Sequence, residues 1–203
     1  MGRSPKLLKM ERLWNRVKTC VRCDREYVNK YVFGDGSVNA RVMIVGEGPG
    51  EEEDATGHPF VGEAGELLTD ILNMAGFPRR EELFIANAVK CRRTSRRGDR
   101  LKNKKPSDGE VARCSVFLQN QLEIVKPRVV VGLGGTAIAS LKGLKTKDVK
   151  STQMAGLTEK GPNCWYLWTY HPAFPIYRGR DVAIIEQMVS HFKKAKELSR
   201  GRI

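Results

Sequence analysis

The chain has 203 residues, with 36 Lys and Arg against 23 Asp and Glu for a formal charge of +13. That length suits one domain with a full core. No apolar run approaches the roughly 18–20 residues needed to span a bilayer, and the basic, amphipathic start has no signal-peptide core. These properties exclude a membrane-spanning helix and point to a cytoplasmic protein with an acidic partner, either nucleic acid or an anionic membrane surface.

In chain order, the pattern predicts a helix over 5–18, a Cys20-x-x-Cys23 knuckle, a strand at 41–46 and a long loop to 61. A helix follows over 65–75, with Leu67, Leu68, Ile71, Leu72 and Ala75 on one face and a stop at Gly76. Next come a strand at 83–89, a basic loop at 92–105, and a helix over 107–125 whose start carries the capping-box pair Ser107 and Glu110. A strand at 128–133, a helix at 135–142, a strand at 165–170 and an amphipathic helix at 181–198 complete the series, and 144–162 shows no clear pattern. Strands alternating with helices predict an α/β fold, a three-layer α/β/α sandwich around a mostly parallel four-stranded sheet. Residues 1–203 read as one domain, with the helix and knuckle at about 1–30.

The segment 46–62 empties from the apolar run Val42-Met43-Ile44-Val45 and is rich in glycine and carboxylate. Strand exits of this kind carry the sites of α/β sheets. A P-loop would need a lysine after its glycines, and the acids Glu51 to Asp54 would repel a triphosphate. The turn Gly132-Leu133-Gly134-Gly135 looks more like a dinucleotide loop, but 152–158 holds no acid to meet a ribose, so a tight βα turn is the better reading.

The basic segment 92–105 packs eight Lys or Arg against one Asp. Such a run is often just a solvated loop. At a strand exit it could also hold a phosphate backbone. Of the five cysteines, Cys20, Cys23, Cys91 and Cys114 form a natural set of four, with Cys164 apart in a strand. Four thiolates fit zinc or an iron–sulfur cluster, and the spacing does not choose. The predicted exits also bring Glu47, Phe60, Asn87 and His171 to one sheet edge. A carboxylate, a ring, an amide and an imidazole together can grip a flat heterocycle such as a nucleobase.

GEGPGEEEDATGHPFVGEAG at 46–65 resembles the first motif of the family 4 uracil-DNA glycosylases, and TYHPA at 169–173 resembles their second. The run Asn87-Ala88-Val89-Lys90-Cys91 is similar to that family's asparagine-to-cysteine strand end. Likeness extends from about Cys20 to Arg178. It implies base excision repair: uracil is flipped from single- or double-stranded DNA and its glycosidic bond hydrolysed by a monomeric, monofunctional enzyme, with no metal in the reaction. The resemblance makes Glu47 and His171 catalytic. Glu47 would polarise the attacking water, and His171 would stabilise charge on the uracil O2. Gly48, Glu53, Phe60, Asn87 and Asn103 would bind substrate, with Phe60 stacking and Asn87 reading the base edge. Cys20, Cys23, Cys91 and Cys114 would hold a structural 4Fe-4S cluster. DNA would be met by Arg96, Arg97, Arg100, Lys102, Lys104, Lys105 and Arg178, and Phe174, Ile176 and Tyr177 are candidates to fill the gap left by the flipped base.

The segment after Cys91 is longer than in that family and resembles the superfamily branch that traps uracil covalently through a loop histidine. The three histidines are His58, His171 and His191, so none stands there, and Asn103 is a poor nucleophile. Turnover is therefore expected over binding or trapping without turnover. A catalytically weak DNA-binding module and a zinc protein are the competing readings.

Overall fold

The computed structural model describes residues 4–23, 29–77, 82–97 and 100–201; for residues 97 and 100 it describes the backbone only. The elements are α1 (Pro5–Lys18), β1 (Asp35–Gly36), β2 (Val42–Gly46), α2 (Glu51–Thr56), α3 (Glu63–Met74), β3 (Leu83–Asn87), β4 (Thr94–Arg97), β5 (Arg100–Asn103), α4 (Asp108–Val125), β6 (Val129–Leu133), α5 (Gly134–Lys142), α6 (Ser151–Met154), β7 (Thr158–Lys160), β8 (Trp165–Thr169), α7 (Ala173–Ile176) and α8 (Val182–Arg200).

Local chemistry sets the helix starts. Ser4 accepts from the Leu7 amide at 3.3 Å with Pro5 behind it, and Asp181 accepts from Ile184 at 3.2 Å. At α4 the expected capping box closes: the Ser107 hydroxyl takes the Glu110 amide at 3.3 Å, and the Glu110 carboxylate takes the Ser107 amide at 2.8 Å.

The main sheet runs β1-β3-β2-β6-β8-β7, with β3, β2, β6 and β8 mutually parallel. It therefore has six strands and not four. The four parallel strands are the expected ones. The two additional strands pair antiparallel at the edges, span only two and three residues, and carry no apolar pattern that could announce them.

Because β2 is buried along its whole length, alternate residues feed opposite layers. Met43 and Val45 join Leu13 and Val17 of α1 and Phe117 and Leu118 of α4. Val42 and Ile44 join Leu68 and Ile71 of α3 and Met188 and Phe192 of α8. The result is helices on both faces of a mostly parallel sheet, the α/β/α sandwich anticipated from the alternation of elements.

Two stretches differ from expectation. The long loop after β2 contains α2, whose first turn is all acidic and so complements the helix dipole. The basic loop is an antiparallel hairpin, β4 with β5, pairing Thr94 with Asn103 and Arg97 with Arg100. The residues between the two strands, 98–99, are a Gly-Asp pair. Those two residues lie outside the described ones.

Candidate active site

The parallel register puts the carboxyl ends of four strands on one edge: Gly46 pairs with Asn87, Val45 with Gly132, and Leu133 with Thr169. Glu47 leaves β2 there, Asn87 ends β3, Thr136 lies in the first turn of α5, and His171 follows β8. An open cleft of about 770 Å³ lies over this edge, with Glu47, Phe60, Asn87 and His171 in its wall.

The Phe60 ring and the His171 imidazole lie 6.0 Å apart between centroids, tilted by 33°. Asn87 is 2 % exposed, and its Oδ1 is a buried acceptor with no hydrogen-bond partner among the described residues. Gly46 is the reason these groups fit together, because a Cβ there would collide with both Asn87 Oδ1 and the Phe60 ring. Phe60 itself sits at φ +53°, a left-handed conformation unusual for a bulky residue. Gly65 makes room for that turn, since a Cβ on it would overlap the Phe60 carbonyl.

Glu47 accepts a hydrogen bond from the Thr136 hydroxyl at 2.5 Å. His171 accepts from the Ala173 amide through Nδ1 at 3.2 Å, so the neutral ring carries its proton on Nε2. Burial lowers the His171 pKa from its ordinary 6.5, against the opposing pull of the Glu47 and Glu53 carboxylates. The ring is thus held as a neutral donor.

Glu53 lines the cleft, but its carboxylate is committed to the loop. One oxygen accepts from Gly50 at 2.9 Å, and the other from Val61 at 2.9 Å and Gly62 at 3.1 Å. It thereby clamps both flanks of the segment that carries Phe60. Gly48 lies close against Val89 in the cleft wall. Asn103 accepts from Arg92 Nε at 2.7 Å, and Arg92 pairs with Glu51 at 2.9 Å, which ties the foot of the hairpin to α2.

Of the basic residues, Lys104 and Lys105 line the cleft, and Arg96 and Lys102 are exposed on the hairpin. The side chains of Arg97 and Arg100 lie outside the described ones. Arg178 is exposed, 3.8 Å from Asp181, with its guanidinium 5.4 Å from the Phe174 ring centre. Phe174 also stacks on Tyr170 at 5.3 Å, Ile176 packs on the α3/α8 core, and Tyr177 projects with 86 % of its surface exposed.

Among the described residues Cys20, Cys23, Cys91 and Cys114 form no disulfide. Among the described residues no set of three or more His, Cys, Asp or Glu is arranged to hold a metal ion as it stands. The set nonetheless acts as a group. Burial raises the Cys114 pKa, the nearby Lys90 ammonium lowers it, and Cys20 and Cys23 add to the rise. Lys90 is 1 % exposed and, among the described residues, donates to two neutral acceptors, Asn87 O at 2.8 Å and Gln121 Oε1 at 2.6 Å. Burial brings its pKa down to about 8, and the charges that oppose this are those of Cys114 and Cys91. A buried cation whose counter-charges are thiols fits a thiolate-held group, because coordinated thiols are deprotonated.

Sequence reasoning had no signal for Thr136 or Lys90, and treated Gly46 only as a loop glycine. Thr136 reads as ordinary helix, and Lys90 as one basic residue among many; only the fold aims them at the edge.

An open cleft at the carboxyl edge of an α/β/α sheet, walled by Glu47, Phe60, Asn87 and His171, defines the class. Residues 33–195 match the sequence model of the uracil DNA glycosylase superfamily. Among its relatives are a type-4 uracil-DNA glycosylase of Thermotoga maritima, 39 % identical over 92 % of this chain and 93 % of that one, and another of Archaeoglobus fulgidus, 36 % identical over 90 % and 89 %. A third, from Pyrobaculum aerophilum, is 38 % identical over 81 % and 83 %. The chain belongs to the uracil-DNA glycosylase superfamily, within its type-4 branch.

Proposed function

We propose that the chain is a monofunctional uracil-DNA glycosylase that flips uracil from DNA and hydrolyses its bond to C1′, leaving an abasic site for base excision repair. The observation that carries this reading is the buried Asn87 Oδ1, which has no hydrogen-bond partner among the described residues and lies with the Phe60 ring over Gly46. A buried acceptor without a protein partner is costly unless a ligand completes it. Uracil offers an N3–H donor beside a carbonyl, which matches the Asn87 acceptor and its amide donor.

Uracil stacks on Phe60, and Asn87 reads its edge. Neutral His171 donates from Nε2 to O2, where negative charge collects as the C1′–N1 bond breaks and its electron pair stays with the base. Glu47, fixed by Thr136, accepts a hydrogen bond from the water that adds to the oxocarbenium-like sugar. Glu53 works by positioning the Phe60 loop, and Gly48 lets the backbone of that loop approach. Asn103 supports the substrate side through Arg92. Tyr177 is the wedge that fills the stack, because Phe174 and Ile176 are held by neighbours. Arg96, Arg97, Arg100, Lys102, Lys104, Lys105 and Arg178 take the phosphates. Cys20, Cys23, Cys91 and Cys114 would hold a 4Fe-4S cluster, a structural group that would link the knuckle to the segment after β3 and to α4. The chain acts as one domain, 1–203, as a cytoplasmic monomer.

The test is an oligonucleotide containing deoxyuridine, single- or double-stranded, incubated without added metal. Free uracil and abasic sites are expected from a brown protein carrying iron and sulfide. DNA binding without base release would overturn the enzymatic reading, and colourless protein with one zinc would overturn the cluster.

A further inference from the structure

Lys90 is buried just beyond the end of β3 and does not line the cleft, yet it touches the residue that reads the base. Its ammonium donates to the main-chain carbonyl of Asn87, at the end of β3 where the ladder with β2 stops. It also donates to Gln121 of α4, whose amide in turn donates to the Phe33 carbonyl at 2.8 Å. The Lys90 carbonyl accepts from Val32 at 2.9 Å. The Lys90 side chain thus joins the end of β3 to α4, and Gln121 and the Lys90 carbonyl extend the link to residues 32–33.

We infer that Lys90 is a positioning residue for uracil recognition: its buried side chain, anchored on Gln121, donates to the Asn87 carbonyl and so aims the Asn87 amide at the base. This rests on the glycosylase reading above. Lys90 is 1 % exposed, and among the described residues no carboxylate pairs with it, so its donors are committed to these two neutral oxygens. The carbonyl it holds belongs to the residue whose side chain meets the base.

The experiment compares free uracil, measured as a competitive product inhibitor, with duplex DNA carrying an abasic site. Lys90→Met keeps the length of the side chain and removes its charge and donors. It is expected to raise the uracil Kd about tenfold while abasic-site affinity stays within about twofold. A general loss of structure would weaken both ligands alike. Unchanged uracil affinity, or equal losses for both ligands, overturns the inference. Should Lys90→Met fail to fold, Gln121→Glu decides by the same pair of readouts: a carboxylate there draws the ammonium from Asn87 and is expected to raise the uracil Kd at least about threefold. A native chain that releases no uracil defeats the glycosylase reading itself. A native chain that releases uracil, with both variants unchanged, defeats this inference alone.

Discussion

Phe60 and His171 come from loops after different strands, and their rings stand 6.0 Å apart, tilted by 33°. The ring offers a face and the imidazole a donor at its margin, so one flat heterocycle can lie on the first and point an oxygen at the second. Phe60→Ala should raise KM for a deoxyuridine substrate about tenfold through lost stacking, with a smaller effect on kcat. Steady-state kinetics on a short oligonucleotide would show it, and an unaltered KM would remove Phe60 from the site.

Thr136 separates carboxylate positioning from base binding. Its hydroxyl donates to Glu47, and the residue is 1 % exposed. Thr136→Val keeps the shape and deletes the donor. Single-turnover uracil release should slow about 10–100-fold, as for a hydrogen bond to a charged group, while free uracil binds as before. An equal loss in uracil affinity would mean that the threonine supports the pocket at large.

Burial holds His171 and His191 below the ordinary imidazole value of 6.5. As pH falls through that value the unfolded chain takes up protons that the folded chain refuses. The unfolded state then binds more protons, so stability declines. Melting temperature should drop between about pH 7 and pH 5.5, and less steeply in His191→Gln, where one of the two imidazoles is absent. A melting temperature that rises on acidification in this window would contradict the burial of these rings.

The hairpin makes a separable prediction. Replacing Arg96, Lys102 and Lys104 with Ala should weaken binding to any DNA sequence and flatten the log–log salt dependence by about 0.7–0.9 per lost phosphate contact. Chemistry at saturating DNA should persist. An unchanged slope would leave the hairpin no part in holding the phosphates.

Glu53→Gln tests the loop clamp. The amide offers one acceptor oxygen where the carboxylate serves Gly50, Val61 and Gly62 with two. Losing acceptors for buried main-chain donors costs about 1–3 kcal/mol and frees the Phe60 turn. Both melting temperature and uracil affinity should fall, whereas a direct base contact would cost affinity alone.

Much of this protein is legible in residue order. The alternation of apolar strands with amphipathic helices prescribes the layers, since a strand buried along its length needs a helix on each face. The capping box at Ser107 marks one helix start, and the glycine- and carboxylate-rich exit after β2 marks the place of chemistry. Three kinds of feature were out of reach. Edge strands of two or three residues carry too few side chains for a period. The β4–β5 hairpin is hidden by its own charge, because Leu101 is its one apolar residue and cross-strand pairing leaves little trace in such a run. Glu53 reads as a carboxylate free to meet a ligand until its three amide donors are seen.

The sequence by itself determined which groups are present and roughly which strand each one follows. Only the tertiary structure decided their partners: Thr136 behind Glu47, no room for a side chain at Gly46 beside Asn87 and Phe60, and Lys90 against the Asn87 carbonyl. The physical reason is that such contacts join segments far apart in the chain. Periodicity reports which way a side chain faces within its own element, whereas a partner on another element is fixed only when sheet register and layer packing bring the two together.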